Sequence, residues 1–230
     1  MTSYTQYSAV LATCPLFVNV ESFDIEQSLQ CLHGVQREYR KGKFLFYSGD
    51  SLSALGIVLS GSVHILQEDF WGNRNIVGRI GSGELFGETF ATVRETVMTV
   101  DVMAAEPAVV LYLEIKNILQ PCAMGCVLHQ RLLQNLLQIF AMKNLALTEK
   151  TNYLSQRTTR QKILIYLVGQ SRKVGADNFT IPFNRQQLAD YLAVDRSALS
   201  AELGRLKEKG MLAFRKNTFT LYRTDYSEKE

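Results

Sequence analysis

The chain has 230 residues, 47% of them hydrophobic and 20% charged, with a net charge of +3; that is enough apolar material for one large domain or two modest ones and far from a disordered composition. No apolar run approaches the roughly 18–20 residues that span a bilayer, Met1 to Phe17 lacks the basic start of a secretory signal, and four cysteines are too few for a disulfide scaffold, so a cytosolic setting is expected. The charge is uneven: residues 151–230 hold 14 Lys and Arg against 8 Asp and Glu, and residues 1–150 hold 11 against 14, which suits the C-terminal part to a polyanion.

Residues from about 35 to 115 read as β-structure, because short apolar runs alternate with glycine punctuation. Phe44-Leu45-Phe46-Tyr47, Gly56-Ile57-Val58-Leu59, Ser62-Val63-His64-Ile65-Leu66 and Ala108-Val109-Val110-Leu111-Tyr112-Leu113 are strand-like. Strands of this length with turn signals every 8–12 residues predict a small antiparallel barrel or sandwich. Trp71-Gly72-Asn73 is placed at a hairpin tip, where glycine accepts a positive φ.

From about 127 to 155 the period changes. Leu133, Leu137, Phe140, Asn144, Leu147, Thr151 and Leu154 recur in alternating steps of four and three, a heptad seam on one long helix. A second stripe, Leu132, Leu136, Ile139, Lys143 and Ala146, lies beside it. Two stripes predict that one packs on the helix's own domain and the other on a second copy, with Asn144 fixing register; an internal core helix is the plainer alternative.

A further helix is predicted over 158–171, with Ile163, Leu164, Tyr166 and Leu167 apolar. A turn at Val174–Asn178 and a β-like piece, Phe179–Phe183, follow. Asn184 to Met211 is the most informative stretch. Asn184 with Gln187 three residues on makes a capping box; the helix runs to about Leu192 with Leu188 and Leu192 inward. Ala193-Val194 form a tight turn, and Asp195 is predicted to cap a second helix whose Leu199, Leu203 and Leu206 face inward and which ends at Gly210. Two short helices so joined make a helix-turn-helix. Met211–Phe214, the basic tip Arg215-Lys216-Asn217 and Thr218–Tyr222 add a hairpin, completing a winged helix.

A helix fits the DNA major groove and its first turns bring side chains to base edges. Arg196, Ser197, Ser200 and Ala201 are the outward residues there. Arg196 is assigned to guanine, whose O6 and N7 match its planar fork; Ser197 and Ser200 face bases or phosphate. Arg185, Arg205 and Lys216 are assigned to phosphates, which set register without reading sequence.

On these residues, together with Lys41-Gly42-Lys43, Gly49-Asp50, Leu59–Val63 and Gly83-Glu84-Leu85-Phe86-Gly87-Glu88, the chain resembles the Crp/Fnr family of bacterial transcription regulators over nearly its whole length. The resemblance implies an α+β fold: an N-terminal antiparallel β-roll, jelly-roll-like, of the cyclic nucleotide-binding kind (1–118), a long dimerisation helix (119–156) and a C-terminal winged helix-turn-helix (157–230). It implies a homodimer on a palindromic double-stranded DNA operator with half-sites about one turn apart, an effector that changes helix geometry, and contact with RNA polymerase if the protein activates. Two departures follow from the family pattern. The arginine that holds a cyclic phosphate falls at Thr96, and Arg94 nearby would reach the phosphate only through a shifted loop, so cyclic AMP is not the expected effector. Ser197 and Ala201 replace an acidic residue and an arginine on the recognition helix, so the preferred DNA sequence differs.

Gly87, Glu88, Thr89 and Thr99 are the candidate contacts for an unidentified small organic effector. Cys122, Cys126 and His129 share one helical face, a spacing suited to a metal or a redox pair, with Cys14, Cys31 or the second subunit as further ligands; the plain alternative is that these cysteines are small buried apolar residues, and no metal or other cofactor is assigned. No paired carboxylates, Ser–His–acid set or phosphate-binding loop points to an enzyme. The rival is a sensor whose winged helix docks a protein partner.

Overall fold

The computed structural model describes residues 4–68, 74–120 and 127–222. The chain forms two compact units, Met1–Ala141 and Met142–Glu230. The first opens with helices α1 (Ser8–Thr13) and α2 (Ser22–Cys31) and continues through strands β1 (Val35–Tyr39), β2 (Phe44–Phe46), β3 (Ala54–Ser60), β4 (Val63–Glu68), β5 (Arg74–Ile80) and β6 (Leu85–Phe86). Helix α3 (Glu88–Thr92), strands β7 (Asp101–Ala104) and β8 (Ala108–Glu114) and helix α4 (Ile115–Leu119) lead to the long α5 (Val127–Leu154). The predicted hairpin tip Trp71–Asn73 lies outside the described residues, as do Cys122 and Cys126.

Two four-stranded antiparallel sheets make the roll, ordered β1-β8-β3-β6 and β2-β7-β4-β5. β3 and β8 are buried on both faces, which is why they read as unbroken apolar runs rather than as alternating ones. Leu55, Ile57, Leu59, Leu111 and Leu113 face one core, with Leu11, Leu16 and Phe17 from the N-terminal segment and Leu132, Leu136 and Ile139 from α5. Val58, Val110 and Tyr112 face a second core, where Val63, Phe86, Met98 and Val102 meet them. Polar bonds pin the first turns of α5 to this unit: the Asn135 side-chain amide donates to the Leu16 and Val18 carbonyls, both at 2.9 Å, and His129 Nε2 donates to the Asn117 carbonyl at 2.7 Å.

The two stripes of α5 part company. Leu132, Leu136 and Ile139 are buried. On the heptad seam, Leu137 is 61% exposed and Leu147 63% exposed, Leu133 and Phe140 are half-buried, and Asn144 is exposed. Among the described residues no helix is long and apolar enough to cross a membrane.

The second unit adds α6 (Thr159–Val174), β9 (Asn178–Thr180), α7 (Arg185–Tyr191), α8 (Arg196–Glu208), β10 (Leu212–Arg215) and β11 (Thr218–Leu221). The strands form an antiparallel sheet ordered β10-β11-β9. Its core gathers Ile163, Tyr166 and Leu167 of α6, Leu188 and Ala189 of α7, Leu199, Leu203 and Leu206 of α8, and Leu212, Phe219 and Leu221 of the hairpin. Tyr153, near the end of α5, joins them edge-on to Tyr166, with ring centroids 5.5 Å apart.

Candidate nucleic-acid interface

The helix pair is built from its caps. Asn184 accepts the Gln187 backbone N–H at 2.9 Å and the Gln187 side chain accepts the Asn184 N–H at 2.9 Å, a complete capping box that starts α7. The turn after α7 puts Ala193 at φ +48°, a left-handed conformation that costs an alanine about 1–2 kcal/mol. Lys162 reaches over from α6 and donates to the Leu192 and Ala193 carbonyls at 3.2 and 3.3 Å, satisfying acceptors that the helix end leaves open. α8 then starts at Arg196. The expected side-chain cap from Asp195 is not made: the residue sits at the N-cap, but only its backbone carbonyl is engaged, by the Leu199 N–H at 2.9 Å. The far end closes as expected on Gly210, at φ +69°.

Leu199, Leu203 and Leu206 have no exposure, and that fixes the rotation of α8. The opposite face therefore carries Arg196, Ser197, Ser200 and Ala201, all exposed. Glu202 stands at the rim, 15% exposed in its side chain, and accepts from Arg205 at 3.0 Å; Arg205 is itself 69% exposed. The hairpin turns at Lys216, which is exposed and has φ +54°.

Arg185 differs from the other expected phosphate ligands. It is half-buried, its guanidinium lies 4.6 Å from the Phe214 ring centroid and 5.4 Å from that of Phe219, and it donates to the Lys216 carbonyl at 3.4 Å. Burial pulls its pKa below the ordinary arginine value. The sequence gives no direct sign of this, because the rings lie about thirty positions away and meet Arg185 only through the tertiary fold.

In the β-roll the expected effector contacts are spread along one stretch. Gly87 ends β6 at φ +76° and starts α3; a side chain there would lie 2.7 Å from Leu52. Glu88 is buried, and Thr89 and Thr99 are exposed. Thr96 is half-buried and its hydroxyl donates to the Arg94 carbonyl at 3.4 Å. Arg94 is exposed. Met98 and Phe86 fill the space between the sheets, and a side chain on Gly56 would lie 2.4 Å from the Phe86 ring. A cavity of about 200 Å³ opens instead among His33, Arg37, Phe46, Ser51, Tyr112 and Glu114; none of Gly87, Glu88, Thr89 or Thr99 lines it. Its residues come from four separate segments, which is why no local motif marks them. A second cavity, about 720 Å³, lies between the last turns of α5 and α6, lined by Tyr153, Leu164, Val168 and Arg172 among others.

Of the metal or redox candidates, Cys122 and Cys126 lie outside the described residues, and His129 is buried on the Asn117 carbonyl. Cys14 is buried, and burial pushes its thiol up to about 11, so it is a poor nucleophile at neutral pH. Cys31 is exposed.

Residues 36–123 match the cyclic nucleotide-binding domain family, and residues 161–225 match the Crp-like helix-turn-helix domain family. The transcriptional activator protein FnrL of Cereibacter sphaeroides is 26% identical over 186 residues, covering 77% of this chain and 72% of that one. The cyclic AMP receptor protein of Thermus thermophilus is 35% identical over 74 residues, about a third of either chain. Among solved structures, the catabolite activator protein of Thermus thermophilus superposes with a TM-score of 0.54 at 24% identity, covering 90% of this chain and 93% of that one. The c-di-GMP responsive global regulator CLP of Xanthomonas campestris does so with the same TM-score and identity, covering 89% and 100%. At that identity the superpositions show a shared fold.

Proposed function

Because the chain belongs to the Crp/Fnr type of transcription regulator, a cyclic nucleotide-binding domain followed by a Crp-like helix-turn-helix domain, we propose that it acts as a homodimer that binds a palindromic DNA operator in response to an effector other than cyclic AMP. The observation that carries this reading is the two-sided character of α8: three leucines without exposure on one side, and Arg196, Ser197, Ser200 and Ala201 on the other. Such a helix is rigidly mounted and offers hydrogen-bonding groups at the reach of base edges. Arg196 reads guanine, Ser197 and Ser200 touch bases or phosphate, and Arg205 and Lys216 hold phosphates.

Dimerisation falls to the seam of α5, Leu133, Leu137, Phe140, Asn144 and Leu147, in a middle segment, 119–156, between the sensor roll and the DNA-binding unit. The exposure of Leu137 and Leu147 supports this, since solvent is a poor environment for a repeating apolar stripe. Thr96 supports the exclusion of cyclic AMP: a cyclic phosphate buried there lacks a cation to pair with. The effector instead shifts the population of dimers toward the geometry that fits the half-site spacing. The setting is the bacterial cytoplasm, and RNA polymerase is a further partner if the protein activates.

The test is fluorescence anisotropy with duplex DNA at two or more salt concentrations. Contacts with several phosphates make the logarithm of affinity fall linearly with the logarithm of salt, with a slope near −0.9 per phosphate. Absence of salt-dependent duplex binding overturns the proposal in favour of a winged helix that docks a protein.

A further inference from the structure

We propose that Arg185 is a positioning residue: it fixes the wing, and with it the Lys216 side chain, at a set distance from the helix pair, and takes no phosphate itself. This rests on the duplex-binding reading above, within which the roles of Arg185 and Lys216 become separable.

Arg185 is the first residue of α7 and lies inside the capping box that joins Asn184 to Gln187, so its backbone is held from both sides. Its guanidinium covers Phe214 on β10 and Phe219 on β11, the two strands that carry the wing tip, and those rings lie 5.9 Å apart. One N–H reaches the carbonyl of Lys216 itself. From α8, Lys207 also sits over Phe214, 5.6 Å from the centroid, so both helices of the pair clasp the same ring. The far side of the tip is tied separately: the Ile181 N–H donates to the Asn217 carbonyl at 2.9 Å, and the Asn217 side-chain amide returns a bond to the Ile181 carbonyl at 3.0 Å. Lys216 therefore projects from a turn anchored on two flanks. Moving Arg185 onto a phosphate would uncover both rings and break its bond to the Lys216 carbonyl, the contacts that hold the wing to α7.

The experiment uses the full chain and a duplex selected from a random pool by the wild-type protein. Affinity is measured across a salt series for the wild type, Arg185→Ala, Lys216→Ala and the double variant, with thermal melts to confirm folding. Lys216→Ala is expected to reduce the salt slope by about 0.9, one phosphate contact. Arg185→Ala is expected to lose the same contact, and the double variant to bind no more weakly than the weaker single one. Hydrogen–deuterium exchange without DNA is expected to quicken across residues 212–221 in Arg185→Ala but not in Lys216→Ala. Phe214→Leu, which keeps the guanidinium and removes the nearer of its two rings, is expected to shift both measurements in the direction of Arg185→Ala. Additive losses with a slope reduced by two contacts, or unchanged wing exchange in Arg185→Ala, would overturn the proposal. If the wild type binds no duplex at any salt, it is the underlying reading that fails, and the exchange data still decide whether Arg185 holds the wing.

Discussion

The winged-helix unit and the β-roll unit both bury their apolar residues well, yet they use the result differently. In the former the leucines of α7 and α8 lie beneath the helices, and the residues with polar chemistry face outward on α8 and the wing. In the latter Val58, Phe86, Met98, Val110 and Tyr112 pack together, and a cavity of about 200 Å³ borders that core at Tyr112. A face for a large, regular partner needs only outward side chains on a well-packed support, whereas a site for a small guest depends on the space the packing leaves.

The sharpest way to break that contrast is to cut each core. Leu203→Ala, at the centre of the C-terminal core, is expected to cost about 2–5 kcal/mol in urea unfolding and to abolish duplex binding. Phe86→Ala is expected to cost about 3–5 kcal/mol but to act on the roll while α8 keeps its face. If Phe86→Ala were nearly silent in stability, the roll would be looser than its packing implies. Next in size is Leu147→Glu on the exposed seam of α5. A dimer hides two copies of this leucine, so about 3–6 kcal/mol of association is expected to be lost, seen as monomer in sedimentation with the helical content unchanged.

A smaller effect is expected of Arg196→Ala: weaker binding to the selected duplex by about 1–3 kcal/mol and relaxed preference at one base position, with no change in melting temperature. The smallest is a pH effect. Burial first, and Glu149 and Tyr191 next, push Tyr153 up to about 12; burial also raises Tyr166 and Tyr191. Unfolded tyrosines ionise near pH 10. The stability these neutral rings contribute is thus fully present below pH 10 and is lost as pH rises through 12. Melting temperatures of the C-terminal unit between pH 8 and 12 check this, and Tyr153→Phe is expected to flatten the decline.

Periodicity made much of this molecule legible. β3 and β8 stand out as apolar runs because both of their faces are covered, and the capping box at Asn184 and Gln187 marks the start of α7 to the residue. The 4,3 spacing of Leu199, Leu203 and Leu206 oriented α8 correctly. What escaped is one local rotamer and two non-local arrangements. Asp195 looked like a side-chain cap because its residue type favours that role, but type alone does not choose a rotamer. Arg185 looked like a free cation, since its aromatic cover is far away in sequence. The cavity around Arg37 and Tyr112 joins residues from four segments and has no one-dimensional signature. The small helices α1 and α2 carry no strong period, and they owe their place to Leu11, Ile25 and Leu29 sinking into the core beneath β3 and β8.

The ring of Phe86 occupies the space that a side chain on Gly56 would need: a Cβ there would lie 2.4 Å from it. Any larger residue at position 56 therefore has to push Phe86 out of the cluster it forms with Val58, Val110 and Tyr112, and a fluorine label on the ring is expected to register Gly56→Ala as a shifted resonance.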